Sequence, residues 1–216
     1  MRFRDRRQAG RELAGRLRIL QEKGALAHPV VLALPRGGVP VARVVAEALE
    51  APLDVLVARK IGAPFQKELG VGAIVGDAPP VFDPRTLEHL GLTEDELAPV
   101  VAREREELRR RDRLYRHGRP LPDLRGHTVI LVDDGLATGA TARAAVRWVR
   151  AHEPEQVVLA VPVAAPEAAD LLRAETDDLV CVQRPGDFLS VGSWYEDFDQ
   201  LSDDDVLADL EDMAEG

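Results

Sequence analysis

The stretch Val129-Ile-Leu-Val-Asp-Asp-Gly-Leu-Ala-Thr-Gly-Ala-Thr141 sets two adjacent carboxylates, Asp133 and Asp134, at the end of a four-residue apolar run. Small and hydroxylated residues follow at once. A run of that kind reads as a buried strand and its sequel as a loop entering a helix. In an open α/β sheet, ligands bind at the carboxyl ends of the strands. Gly135, Ala137, Gly139 and Ala140 let the backbone approach a ligand closely, and N–H groups at the helix start suit a phosphate. Thr138 and Thr141 add hydroxyl donors. Two acids beside a phosphate cradle cannot both serve that phosphate, so they should meet hydroxyls or a metal on the same ligand. A sugar phosphate satisfies both requirements.

Three further groups of residues could do chemistry. Pro35-Arg36-Gly37-Gly38 follows the first apolar run and offers bare backbone N–H groups with one fixed cation, although a Gly-Gly helix start is by itself common. Arg59, Lys60 and Lys67 bring together two of the chain's three lysines; the alternative for Lys67 is an ordinary solvated side chain. Arg184 to Phe198 concentrates Phe188, Trp194, Tyr195 and Phe198, four of nine aromatic residues, which could stack on a planar ligand or clamp the tail helix. The histidines have no metal-ligand spacing with one another or with Cys181, which falls in an apolar strand and reads as core. There is no Gly-x-Ser-x-Gly elbow and no Walker A sequence, and the glycines at 70, 72 and 76 miss the dinucleotide spacing.

These residues need a scaffold. Asp5 caps a helix with Leu13, Leu17 and Leu20 on one face, closed by Gly24. Strand Val30–Leu34, helix Val39–Leu49 and strand Leu53–Ala58 make a βαβ unit with a right-handed crossover. Residues 62–84, rich in Gly and Pro, are expected to form a mobile insertion with at most short strands such as Ala73–Val75 and Val81–Phe82. Thr93, with Glu96 in a capping box, starts a helix to Tyr115 whose charged run Arg103–Arg113 reads as a solvated face with i,i+4 ion pairs. Strands Val129–Val132, Val157–Val163 and Leu179–Val182 alternate with helices from Thr141 to His152 and from Pro166 to Ala174. Residues 184–216 form a hood ending in an acidic helix, Ser202–Met213, with Val206, Leu210 and Met213 in one stripe. The expectation is one α/β domain with a mostly parallel central sheet flanked by helices, its core at about 28–183.

Composition narrows the function. The 216 residues carry a net charge of −10, but residues 196–216 hold ten acids and no Lys or Arg, and the remainder balances 28 acids with 28 bases. A body without a basic field argues against nucleic-acid binding. No apolar run approaches the roughly 20 residues of a membrane span, and the first 20 residues lack the core of a signal peptide. The expected location is cytoplasmic, which the single cysteine suits. The absence of Asn and the excess of 25 Arg over three Lys fit either a thermophile or GC-rich codon usage.

Residues 129–141 closely resemble the phosphoribosyl pyrophosphate (PRPP) motif of type I phosphoribosyltransferases. The resemblance implies that Asp133 and Asp134 contact the ribose 2′- and 3′-hydroxyls, with Mg²⁺ held mainly through PRPP and these two acids as further contacts. Ala137 to Thr141 would hold the 5′-phosphate, with Gly135 and Leu136 completing the loop. Pro35 to Gly38 is similar to the family's pyrophosphate loop, which often has a cis peptide before its basic residue. Arg59 and Lys60 match basic pyrophosphate contacts, and Lys67 and Glu68 fall where the family has a closing loop. Asp133, Asp134, Arg36 and Lys60 are the expected catalytic residues. The hood, through Trp194 and Tyr195, would stack on the acceptor base. Where 6-oxopurine enzymes carry a third Asp, this chain has Ala137, so a 6-oxopurine is not the expected acceptor; Glu68 and Asp187 are candidate bases. The implied activity joins PRPP to a nitrogenous base with Mg²⁺ and releases pyrophosphate, in a chain that could pair as a homodimer. The alternative is a regulatory protein that senses PRPP or a nucleotide without turnover; PRPP synthetase normally has two such domains and a longer chain.

Overall fold

The computed structural model describes residues 2–214, with the side chains of Glu68 and of 212–214 outside the described set. Apolar runs too short for helices become the centre of the molecule: β1 (Pro29–Ala33), β2 (Leu53–Val55), β6 (Thr128–Val132), β7 (Gln156–Val163) and β8 (Asp178–Gln183) form one parallel sheet in the order β2-β1-β6-β7-β8. All five residues of β6 are buried, as a strand covered on both faces requires. Helices α1 (Arg6–Glu22), α2 (Gly38–Leu49), α5 (Ala140–Arg150) and α6 (Pro166–Arg173) supply the apolar faces that cover it, in two core clusters. After β1 the chain steps to one side of the sheet and after β6 to the other. The switch point therefore lies between these two neighbouring strands.

Two expectations are corrected. The strand expected over Leu53–Ala58 ends at Val55: the Leu56 N–H makes the last bond to β1, at the Ala33 carbonyl (2.9 Å), and the chain then leaves the sheet. The insertion expected to hold at most short strands forms an antiparallel sheet of β3 (Ala58–Ala63), β4 (Gln66–Val75) and β5 (Val81–Phe82), followed by α3 (Pro84–Leu90) with Asp83 as its N-cap. The glycines that suggested mobility serve close packing. A Cβ at Gly72 would stand 2.5 Å from the Val81 carbonyl oxygen and one at Gly62 2.2 Å from that of Lys67.

Helix α4 (Glu94–Arg116) has the expected Thr93–Glu96 capping box. Its charged run carries the expected i,i+4 pair of Arg111 with Glu107, and its arginines hold that carboxyl down at about 2. The same run also binds the second sheet. Arg105 donates to the carbonyls of Gly76 (2.9 Å) and Ala78 (2.7 Å), and Arg59 bonds Glu104. Helix α7 (Asp203–Ala214) begins one residue later than expected, with Ser202 and Asp205 bonding each other reciprocally, and buries Val206. Leu210 packs on the core; the Met213 side chain lies outside the described residues. Among the described residues no helix is long and apolar enough to cross a membrane.

Cys181 lies half-buried in β8 and burial pushes its thiol up to about 11. Thiolate is the reacting form, so alkylation by iodoacetamide is expected to rise about tenfold per pH unit from pH 8 to 10 and flatten near 11. A plateau near pH 9, the behaviour of a free thiol, would contradict this.

Candidate active site at the strand switch point

β1 and β6 lie side by side in register, with Ala33 opposite Val132, and the Leu34 N–H continues the ladder to the Val132 carbonyl at 2.9 Å. The turn Pro35–Gly38 and the loop Asp133–Thr141 therefore emerge together at the carboxyl edge of the sheet. The Pro35–Arg36 peptide is cis. Contact between the two segments is close enough to require glycine at both positions: a Cβ on Gly37 would fall 2.1 Å from Asp134 Oδ2, and one on Gly38 2.6 Å from the Val132 carbonyl oxygen. Neither glycine has a positive φ here, so space rather than backbone conformation selects them.

The two acids are almost buried. The Asp134 N–H donates to Asp133 Oδ1 (2.8 Å), and Arg6 Nε donates to Asp134 Oδ2 (2.9 Å) from the first turn of α1. Burial pushes both carboxyls up. Asp133 rises well above the usual carboxylate range because its neighbour adds repulsion, whereas the Arg6 guanidinium pulls Asp134 back. Beyond them, Ala137 and Thr138 are exposed, and Gly139, at φ 76°, turns the chain into α5. Gly139 has no side chain to cap that helix; the Ala140 N–H reaches the Thr138 hydroxyl at a long 3.4 Å, and the first turn is an end that suits an anion. Leu136 is buried, and its N–H bonds the Val163 carbonyl (2.9 Å), anchoring the loop to β7.

The hood sits directly on this loop. A Cβ on Gly135 would meet Val191 Cγ1 at 2.6 Å. Tyr195 is buried, donates its hydroxyl to the Asp134 carbonyl (2.6 Å), and lies between Phe3 and Phe198 at ring distances of 5.4 and 4.9 Å. Trp194 is half-buried against the same cluster, and its backbone carbonyl accepts from Phe3. Tyr195 thus serves as a clamp in this structure. Asp187 is exposed, and the side chain of Glu68 lies outside the described residues.

The basic residues are divided. Arg36 lies 3.9 Å from Asp203 of α7, which also takes the Tyr115 hydroxyl and Arg110. Arg59, Lys60 and Lys67, with Gly62, Arg103 and Glu104, line a cleft of about 260 Å³ on the second sheet. Arg6 is the residue that sequence reasoning missed. It stands in an arginine-rich helix start, 128 positions from its partner, and no local spacing marks it.

Comparison with known proteins agrees with this geometry. The Phosphoribosyl transferase domain matches residues 5–198. A Mycobacterium tuberculosis H37Rv protein named "Putative phosphoribosyl transferase Rv0571c" is 46% identical over 209 residues, which are 97% of this chain and 46% of that protein. The chain thus spans about half the length of the curated relatives it matches. The crystal structure of the Thermus thermophilus protein TT1426 superposes with a TM-score of 0.80 at 45% identity, covering 98% of this chain and 99% of that one. A Neisseria gonorrhoeae hypothetical protein with bound ppGpp shares the fold at 15% identity, with a TM-score of 0.52 and coverage of 99% and 98%. The switch-point site and its two acids thus stand on a chain that belongs to the phosphoribosyl transferase domain family.

Proposed function

We propose that the protein transfers the phosphoribosyl group of PRPP, with Mg²⁺, to a nitrogen of a base other than a 6-oxopurine and releases pyrophosphate. One observation carries this reading: a diphosphate-type turn and an acid-acid-phosphate loop meet at the switch point, so a single ligand can touch both. Asp133 and Asp134 accept from the ribose hydroxyls, and the backbone from Ala137 to Thr141 takes the 5′-phosphate. Arg36 and the N–H groups of Gly37 and Gly38 take the diphosphate, Pro35 sets the turn, and Lys60 with Arg59 and Lys67 adds positive charge. As the base nitrogen bonds C1′, the bond from C1′ to the diphosphate oxygen breaks and the base loses its N–H proton. Positive charge develops on the ribose, so the chain's contribution is to hold both ends of PRPP and exclude water.

The donor set suits Mg²⁺, a hard cation that takes oxygen ligands and keeps waters and substrate phosphates in its shell. Among the described residues no cluster of three His, Cys, Asp or Glu could hold a metal. Asp133 and Asp134 would therefore be contacts to an ion carried mainly by PRPP, where it neutralises the leaving diphosphate. Trp194 is half-exposed, as Phe188 and Phe198 are, and is assigned to the base; Asp187 and Glu68 remain the proposed proton acceptors.

Isothermal titration with PRPP, followed by a pyrophosphate-release screen over free bases, tests the reading. Ala137 presents a methyl group, which cannot accept a proton. Hypoxanthine, guanine and xanthine are thus expected to turn over at least about a hundredfold more slowly than the best base. PRPP binding without release for any base would favour the sensor instead. Efficient use of hypoxanthine would overturn the acceptor class.

A further inference from the structure

Arg6 is placed where helix physics disfavours it. It opens α1, whose first turn contains no acid, and a cation there opposes the helix dipole. Its side chain is nonetheless only 11% exposed and meets three partners: Nε donates to Asp134 Oδ2, Nη1 donates to the Asp199 carbonyl (2.9 Å), and the guanidinium carbon lies 3.9 Å above the Phe198 ring. The planar, multiply bonded guanidinium has one orientation available, and a lysine could not reproduce it. Asp134 is thereby held from outside its own loop at two atoms, its carboxylate by Arg6 and its carbonyl by Tyr195. Gly37 leaves the space in which that carboxylate sits.

We propose that Arg6 is a positioning residue that occupies Oδ2 of Asp134 and turns Oδ1 toward a ribose hydroxyl, coupling the base-side hood to the sugar-side acid. The inference rests on the PRPP reading above. Because Phe198 and Asp199 hold Arg6 in turn, the ribose contact is complete only when the hood is seated. The bonds of Arg6 go to Asp134 and Asp199 and none to the diphosphate turn at Pro35–Gly38, which only packs against Asp134 through Gly37, so its effect falls first on the sugar end.

That difference supplies the test. Ribose 5-phosphate, pyrophosphate and PRPP are titrated separately into the wild type, R6Q and R6K. In R6Q the affinity for ribose 5-phosphate and PRPP should fall about tenfold, the size of one hydrogen bond to a charged group, while pyrophosphate affinity is unchanged. R6K keeps the charge without the fork and should recover part of the loss; it also serves as the test variant if R6Q does not fold. Equal losses for ribose 5-phosphate and pyrophosphate, or no loss for either, would mean that Arg6 only staples the hood, and the inference fails alone. A wild type that binds pyrophosphate but neither ribose ligand overturns the PRPP reading and the inference with it.

Discussion

Replacing both motif acids, Asp133→Asn with Asp134→Asn, is expected to leave the protein folded and to lower turnover by roughly a hundred- to a thousandfold, the range for loss of a preorganised electrostatic contact. The fold should survive for a physical reason. Burial and its neighbour push the Asp133 carboxyl well up, so a neutral amide there relieves a cost that offsets the loss of the Arg6 ion pair at Asp134. An amide oxygen remains for Arg6, and the backbone bonds of Asp134 are untouched. On the proposed reading, what is lost is the negative charge that would face the ribose as it becomes cationic. The check is a melting curve beside PRPP titration and pyrophosphate release. Wild-type affinity together with wild-type turnover in the double variant would remove these acids from the site.

Gly38→Ala should act on stability, with a sign opposite to that of helix propensity. At an exposed helical position this exchange favours the helix by up to about 1 kcal/mol. Here the new methyl would lie 2.6 Å from the Val132 carbonyl oxygen and 3.0 Å from Asp133 Cα. Those atoms are backbone at the end of β6, in the middle of a five-stranded sheet, and cannot swing aside as a flexible side chain could. The overpacking cost of about 1–3 kcal/mol prevails, and the melting temperature should fall by about 2–12 °C. An unchanged or raised melting temperature in calorimetry would show that the strand end yields, and that the contact between turn and acid loop is loose.

The parallel sheet was legible because its strands are short apolar runs bounded by Gly, Pro or charged residues, a pattern that survives without knowledge of the fold. The place of the motif loop was legible for a related reason: strand, acids and helix start are adjacent in sequence. The second sheet was not, since Gly62, Gly70 and Gly72 are spaced like a flexible linker and their purpose, close backbone approach, appears only once Lys67 and Val81 are beside them. Helix α3 is hidden because Pro84 also closes a proline-rich stretch, although Asp83-Pro84 is a sound cap-and-first-turn signal. Arg6 and Tyr195 converge on Asp134 from opposite ends of the chain, and no local window contains that meeting.

The same convergence involves the backbone of the chain's start. Phe3 donates to the Trp194 carbonyl and accepts from Glu196, and Arg4 accepts from Asp197, all at 2.8–2.9 Å. In topological terms the polypeptide is a ring fastened by hydrogen bonds, with residues 3–4 and 194–197 as the clasp. A short segment held by a few bonds ordinarily opens at little cost, and so does a surface loop. Here neither can move without the other, because the clasp carries the aromatic trio Phe3, Tyr195 and Phe198, and with it Arg6. Fraying of the first helix and opening of the hood are therefore one cooperative event, and amide protons at both places should exchange with a single opening free energy.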